Sequence, residues 1–351
     1  MKQGDALHAL AWLGWLTAGM VVLIVTRNPI YLVLALLWIS VVSGMVTVAG
    51  VQVTTVAPPF SVWRFGLFVI PFAALFNALF VHVGTTVLFT LPATWPIIGG
   101  PLTAEALVYG ALNGLALIGL LAAFTVFNRV VPVRALIQLI PRAYFSVAVT
   151  VAIAVTFVPS TLRQAAQIRE AQAIRGRALT GVRSWLPLFL SLLSNGLERA
   201  LQLAEAMVAR GFASSAQSTY DWRTQIMLVA GLSAFLAGWL LRLMAGMPLV
   251  GSLLVFGGLL LFVSAVWIGG RRHPHTTYRP APWRGQDWLV TGAAAITVAI
   301  FLLPLPAIDR STLAYTPYPT LTMPGFSLLL GMATWGLLGP ALVLLRAMGD
   351  D

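Results

Sequence analysis

Long apolar runs recur through this sequence, and they constrain its fold more than any other feature. Eight of them occur, at residues 6–25, 30–50, 60–81, 104–127, 224–245, 248–268, 288–306 and 325–345. Each approaches the roughly 20 residues that a helix needs to cross a lipid bilayer. Only 9% of the residues are charged, against roughly 25% in soluble domains, which excludes a soluble globular fold. Because the runs are solidly apolar rather than alternating, the sequence predicts an all-α integral membrane protein with about eight transmembrane helices and not an outer-membrane barrel.

The distribution of positive charge predicts how the chain is oriented. Its 21 basic residues outnumber its 10 acidic ones, and every basic residue except Lys2 is an arginine. Eleven of the 21 lie in residues 128–223. Basic residues of membrane proteins collect on the cytoplasmic side, so we place this segment in the cytoplasm and expect no nucleic acid partner. The chain then divides into N-terminal membrane helices (1–127), the cytoplasmic segment (128–223) and C-terminal membrane helices (224–351), with both termini cytoplasmic.

One stretch of the cytoplasmic segment does not fit this division simply. Residues 143–159 are apolar enough to cross a bilayer, but basic residues flank them on both sides. We favour a helix that slants along the inner leaflet or dips into it. The alternative is a ninth span, which would place the N-terminus outside.

A seven-residue pattern, Glu-Ala-x-x-x-Arg-Gly, occurs twice in the cytoplasmic segment. The first copy runs from Glu170 to Gly176 and the second from Glu205 to Gly211. Glycine just past a helix end, with arginine in the last turn, is by itself an ordinary helix cap. Two copies on cytoplasmic helices of a membrane protein indicate more than caps. They favour two fixed cations that insert into acidic grooves of a soluble partner, where a guanidinium makes paired hydrogen bonds.

The two copies each close a predicted helix, over 161–175 and 197–210. The second helix carries an apolar stripe with the spacing of one helical face. Its members are Leu197, Leu201, Ala204 and Val208. The sequence therefore predicts a pair of cytoplasmic helices that end in Arg-Gly, of which the second is amphipathic.

This arrangement resembles the T component, the transmembrane coupling subunit, of energy-coupling factor (ECF) transporters, the EcfT/CbiQ-like family. In that family two long cytoplasmic coupling helices each end in an Ala-Arg-Gly motif. The matching residues are Ile174-Arg175-Gly176 and Ala209-Arg210-Gly211. Further matches are Pro141-Arg142, Phe157-Val158-Pro159 and Ala171-Gln172-Ala173. Three departures are Ile174 in place of alanine, a C-terminal part that is longer than the family norm, and an N-terminal His-Pro signature, followed by a lysine in the family, that is only echoed by Arg27-Asn28-Pro29-Ile30-Tyr31.

The resemblance implies a non-catalytic coupling subunit in a bacterial or archaeal plasma membrane. Two P-loop ATPase subunits would dock on the motifs, with Arg175 and Arg210 as anchors and Gly176 and Gly211 as tight helix ends. Glu170 and Glu205 would support the arginines. A small membrane-embedded capture (S) subunit would bind the cargo, a vitamin or a transition-metal ion, and contact residues 143–159.

Other chemistry has little support in the residues. The only lysine is Lys2, so no Walker A motif exists. There is no cysteine, and His273 and His275 fit a basic loop at lipid headgroups better than a metal site. We assign no cofactor, metal or catalytic residue. The alternatives are an integral-membrane enzyme acting on lipids, which the scattered acidic residues disfavour, and a self-sufficient carrier, which the apolar span centres disfavour.

One expectation concerns an individual position, and three questions stay open. Glu105 lies near the end of a predicted span, so we expect it at the membrane interface rather than buried. The sequence does not identify the cargo, because the capture subunit selects it, nor does it say whether the coupling subunit is dedicated to one cargo or shared. It also assigns no role to the additional C-terminal spans.

Overall fold

The computed structural model describes residues 7–50, 61–92, 99–141, 144–174, 185–211, 222–244, 248–271, 282–303 and 308–349. Within these ranges the helices are α1 (Ala9–Val25), α2 (Pro29–Val48), α3 (Val62–Phe80), α4 (Ala104–Val130), α5 (Val133–Gln138), α6 (Phe145–Ile174), α7 (Trp185–Ala209), α8 (Trp222–Met244), α9 (Pro248–Arg271), α10 (Gly285–Leu302), α11 (Leu328–Ala333) and α12 (Gly339–Gly349). Two short 3₁₀ helices span Arg310–Leu313 and Thr334–Leu338, and two strands, β1 (Val87–Thr90) and β2 (Pro101–Thr103), pair antiparallel.

The helices confirm an all-α integral membrane protein. All eight apolar runs of the sequence fall on described helices, the last of them on α11, α12 and the 3₁₀ turn that joins them. By length and composition, eight helical segments of the described chain can cross a membrane. These include Val147–Ile174, whereas α1 is shorter, at 17 residues. Residues 147–159 belong to the continuous 30-residue helix α6, and whether they cross the bilayer stays a prediction.

The contacts within the chain define two compact units. The first contains residues 1–135 and 279–351, and the second contains residues 136–278. The first unit is therefore assembled from the two ends of the chain, and the second holds α6 to α9. The three-part division that charge and hydropathy favour stays a prediction.

The core of the first unit forms around α1. This helix packs against α2, α4 and α10, and both of its inward-facing tryptophans, Trp12 and Trp15, are buried. The Trp15 indole donates a hydrogen bond from Nε1 to the carbonyl oxygen of Leu337, at 2.7 Å. A buried indole N–H usually has such an acceptor, although the Nε1 of Trp12 has none among the described residues. The C-terminal residues thus complete the packing of the first helix.

The start of α2 is fixed by a buried asparagine. Asn28 caps the helix through its Oδ1, which accepts from the N–H of Ile30 at 2.9 Å, and Pro29 occupies the first turn. Asparagine at the cap and proline just after it are favourable helix-starting residues. The Nδ2 of Asn28 donates to the carbonyl oxygens of Thr312 (2.8 Å) and Gly325 (2.7 Å). One side chain therefore starts α2 and ties it to residues 308–327.

Glu105 corrects the expectation of an interfacial position, because its side chain is fully buried. The residue lies in the first turn of α4, where an acid is favourable. The N–H groups of Thr85 (3.3 Å) and Thr86 (3.0 Å) donate to its Oε1. The chain before β1 covers the helix end and replaces water with these donors. The position of Glu105 within its span did not reveal that it is buried, since the segment that covers it reaches α4 only in the folded chain.

We expect Glu105→Gln to lower the melting temperature, because hydrogen bonds to a charged group are stronger than those to a neutral one. The substitution keeps the size of the side chain and one acceptor oxygen, but it removes the charge and turns the second oxygen, which accepts from the N–H of Thr86 at 3.3 Å, into a donor. Thermal unfolding in detergent measures the effect. The exposed Glu198 of α7 supplies the control, Glu198→Gln, which should change little. Equal melting temperatures for the two variants would contradict the role of Glu105.

In the second unit, α8 and α9 form a tightly packed hairpin. Four buried glycines line their contact, Gly231 and Gly238 on α8 and Gly251 and Gly258 on α9. A Cβ at residue 258 would lie 2.5 Å from the nitrogen of Phe235 and 2.7 Å from the carbonyl oxygen of Gly231. Small residues such as these allow the backbones of two membrane helices to approach closely. The large apolar side chains face outward, among them Val229, Leu232, Leu236, Leu240, Leu253, Phe256, Leu260 and Val263.

Candidate functional site: the α6–α7 helix pair

The first predicted coupling helix is part of α6, which begins earlier than expected. The predicted range was 161–175, whereas α6 runs without interruption from Phe145 to Ile174. Its first half is apolar, and its second half carries Arg163, Arg169 and Glu170. At about 1.5 Å per residue the helix is about 45 Å long. A single continuous helix therefore joins the apolar stretch to the first Arg-Gly motif.

The boundary between the two halves of α6 lies at an internal proline, Pro159. Proline has no N–H, so the helix lacks one backbone hydrogen bond here. The hydroxyl groups of Ser160 and Thr161 both donate to the carbonyl oxygen of Phe157, at 2.7 and 2.9 Å. These side chains add polar contacts to the weakened turn.

The second predicted coupling helix, α7, presents an uncovered apolar face. It extends from Trp185 to Ala209, so it starts before the predicted range of 197–210 and ends one residue earlier. Within α7 only Leu188 is buried. The exposed large apolar side chains are Leu186, Phe189, Leu190, Leu193, Leu197, Leu201 and Val208. The stripe read from the sequence is thus exposed in this chain.

The end of α7 is a tight turn formed by the second motif. The N–H of Arg210 donates to the carbonyl oxygen of Ala206 (3.3 Å), and that of Gly211 donates to the carbonyl oxygen of Val208 (2.9 Å). Gly211 has a φ of 75°, a left-handed conformation that glycine adopts without steric cost. The side chain of Arg210 is exposed. The motif therefore places an exposed cation at the end of α7.

The first motif is described only in part. Ile174 is 87% exposed, and Glu170, like Glu205 in the second motif, is also exposed. Arg175 and Gly176 lie outside the described residues, as do His273 and His275. The docking roles of Ile174, Arg175, Gly176, Ala209, Arg210 and Gly211 and the supporting roles of Glu170 and Glu205 stay predictions.

Sequence reasoning missed the residue that joins the two helices. Arg199 of α7 donates from Nη1 to the Oγ of Ser160 on α6, at 2.9 Å, and its guanidinium lies 5.8 Å from the ring centre of Phe157. A second contact places the guanidinium of Arg169 6.0 Å from the ring centre of Trp185. The available signal was weak: Arg199 stands next to Glu198 on a helix and reads as an ordinary solvated charge.

The arrangement defines a class of protein. Helices of both units are long and apolar enough to cross a membrane, and within the described residues α7 ends in an exposed Arg-Gly pair, which is the arrangement of a multi-pass membrane protein. A family model described as CbiQ, cobalt transport protein, matches residues 6–220. The chain belongs to this family, the family of the T components of ECF transporters, which confirms the resemblance read from the motifs. No curated protein matches the chain.

The matched region ends between α7 and α8. It includes α1 to α7, and therefore both motifs, whereas α8 to α12 lie beyond it. Of the helices beyond it, α10 packs against α1, and α12 packs against α2. The C-terminal residues from 279 onward thus share a unit with family-matched helices.

Proposed function

We propose that this chain is the non-catalytic transmembrane coupling subunit of an ECF-type importer. One observation carries the proposal: α7 has an exposed apolar face, and it ends in the exposed side chain of Arg210 and the left-handed Gly211. An apolar helix face that ends in a fixed cation suits a groove with apolar walls and an acidic end on a soluble partner. Two P-loop ATPases are that partner, one for each motif, and they bind and hydrolyse the ATP.

The anchoring role belongs to Arg175 and Arg210. A planar guanidinium makes two parallel hydrogen bonds to a carboxylate, which lysine cannot do. The glycines after them end the helices sharply, so each arginine keeps a fixed place relative to its helix. Glu170 and Glu205 orient the arginines or pair with basic groups of the ATPases.

The apolar half of α6 contacts the substrate-capture subunit in this proposal. Val147 and Val151 are among its exposed side chains, which suits a hydrophobic membrane partner. Because the same helix continues to the first motif, a displacement at the ATPase end reaches the capture subunit through one continuous helix. The cargo is a vitamin or a transition-metal ion, and the description of the family, which names cobalt, favours the metal ion.

The proposal is tested by purifying the tagged chain from native membranes in mild detergent and identifying what co-purifies. We expect two P-loop ATPases and a small, very hydrophobic protein. In the variant Arg175→Ala with Arg210→Ala, the ATPases should be lost while the small protein is retained. Removing one partner of a buried charged hydrogen bond at an interface costs about 2 kcal/mol or more, about thirty-fold in affinity.

The matched control is Arg163→Ala, which removes an exposed arginine of α6 that lies outside both motifs. It should leave the yield of ATPases unchanged. A wild-type chain that purifies alone, or a double variant that retains its ATPases in full, would refute the proposal. If the small protein is absent and the substrates or products of a lipid-modifying reaction co-purify instead, the enzyme alternative would be favoured.

A further inference from the structure

Arg199 occupies a particular place in the α6–α7 pair. It is a half-buried residue of α7 and the donor of the hydrogen bond to Ser160 of α6. Its contacts on α6, Phe157 and Ser160, flank Pro159 on either side. Arg199 therefore holds α7 against the one turn of α6 that proline deprives of a backbone hydrogen bond.

The hydrogen bonds at this point form a short chain. Ser160 donates its hydroxyl hydrogen to the carbonyl oxygen of Phe157, which leaves its oxygen free to accept from the guanidinium. The ring of Phe157 lies beneath the same guanidinium at 5.8 Å, just inside the limit of about 6 Å for cation–π contacts. Arg199 thus uses a hydrogen bond and a ring contact on a single turn, and this combination fixes direction as well as distance.

The other contact between the two helices restricts them less. Arg169 and Trp185 are both exposed, and the guanidinium lies 6.0 Å from the ring centre, the outer limit of such interactions. Exposed contacts of this kind contribute little, because water screens the charge. Of the two arginine contacts described between α6 and α7, that of Arg199 therefore restricts the angle between the helices more.

We propose that Arg199 is a positioning residue of the transporter, which we call the pivot: its contacts on α6 restrict the angle between α6 and α7. A displacement of the ATPase-docking ends is then transmitted to the apolar half of α6. This inference rests on the proposed function. Arg199 lies 11 residues, about 17 Å along α7, before Arg210. It acts through Ser160 and Phe157 and contacts neither ATP nor cargo.

The absence of native cysteine in the chain makes a direct test possible. Spin labels are attached at Gln167→Cys on α6 and Gln202→Cys on α7, both exposed positions, and the distribution of distances between them is measured by pulsed electron paramagnetic resonance in nanodiscs. We expect a single narrow distribution for the otherwise native chain. Arg199→Ala should at least double its width, and Arg199→Lys, which keeps a donor but not the planar group, should give an intermediate width.

Two further variants make the test specific. Ser160→Ala should broaden the distribution, and adding it to Arg199→Ala should broaden it no further, because both remove the same interaction. Arg163→Ala is the matched control, since the Nε of Arg163 donates to the carbonyl oxygen of Pro159 within its own helix. The distribution for this control should stay narrow.

The outcomes separate this inference from the proposed function. An unchanged width in Arg199→Ala, or equal broadening in Arg163→Ala, would overturn the pivot. ATPase co-purification with Arg199→Ala should remain at the wild-type level, in contrast to the Arg175 and Arg210 double variant, and its loss would also overturn a purely positioning role. If no ATPase co-purifies with the wild-type chain while Arg199→Ala broadens the distribution, the proposed function fails, but Arg199 still restricts the angle between the two helices.

Discussion

Gly258→Ile is expected to separate α8 from α9 and to leave little folded protein. The Cβ alone would lie 2.5 Å from the nitrogen of Phe235 and 2.7 Å from the carbonyl oxygen of Gly231. Both atoms belong to the backbone, so no side chain can turn away to make room. Overpacking of this kind costs about 3 kcal/mol or more, because the whole helix must move. Yield and thermal unfolding in detergent measure the effect.

The neighbouring glycine supplies the matched control. Gly257 has nothing within 4 Å of the position that a Cβ would take, and it is exposed. Gly257→Ile should therefore fold normally and melt close to the wild-type temperature. If both variants melt alike, the close approach of α8 and α9 at Gly258 does not determine the stability of the hairpin.

Asn28→Ala should lower the free energy of unfolding by roughly 2–4 kcal/mol. The substitution removes the cap of α2 and the two hydrogen bonds from Nδ2 to the carbonyl oxygens of Thr312 and Gly325. Each of these part-buried hydrogen bonds contributes about 0.5–1.5 kcal/mol, and the cap adds about 1 kcal/mol. Thermal unfolding, followed by tryptophan fluorescence in detergent, tests the expectation.

An exposed asparagine serves as the control for this second variant. Asn195 lies on α7 with its side chain at the surface, so Asn195→Ala should change the melting temperature little and in either direction. A small effect of Asn28→Ala, comparable with that of Asn195→Ala, would mean that residues 308–327 do not depend on Asn28 for their attachment to α2.

Most of the helices could be predicted from the sequence, because the bilayer imposes the same length and apolarity on every spanning helix. All eight apolar runs lie on helices of the structure. The end of α7 was also predictable within one residue, since glycine after a last-turn arginine is a local signal. The start of α7 was not predicted, because its first half is apolar on all sides and shows no period.

The contacts that join distant residues could not be predicted. Burial of Glu105 depends on residues 83–86 folding over the first turn of α4, and hydropathy does not encode that approach. The contact of Arg199 with α6 could not be predicted from the sequence either, because a lone arginine on an amphipathic helix usually faces water. Its role emerges only when α6 places Ser160 and Phe157 beside it.

The assembly of the first unit from both ends of the chain has a consequence for biosynthesis. The acceptor for the Trp15 indole is the carbonyl oxygen of Leu337, 322 residues later in the sequence, and the acceptors for Asn28 lie at Thr312 and Gly325. While the ribosome is still translating the middle of the messenger RNA, α1 and α2 are already made, but the Trp15 indole and the Asn28 amide do not yet have their native acceptors. A frameshift before residue 312 would therefore leave the Trp15 indole and the Asn28 side chain without their native acceptors.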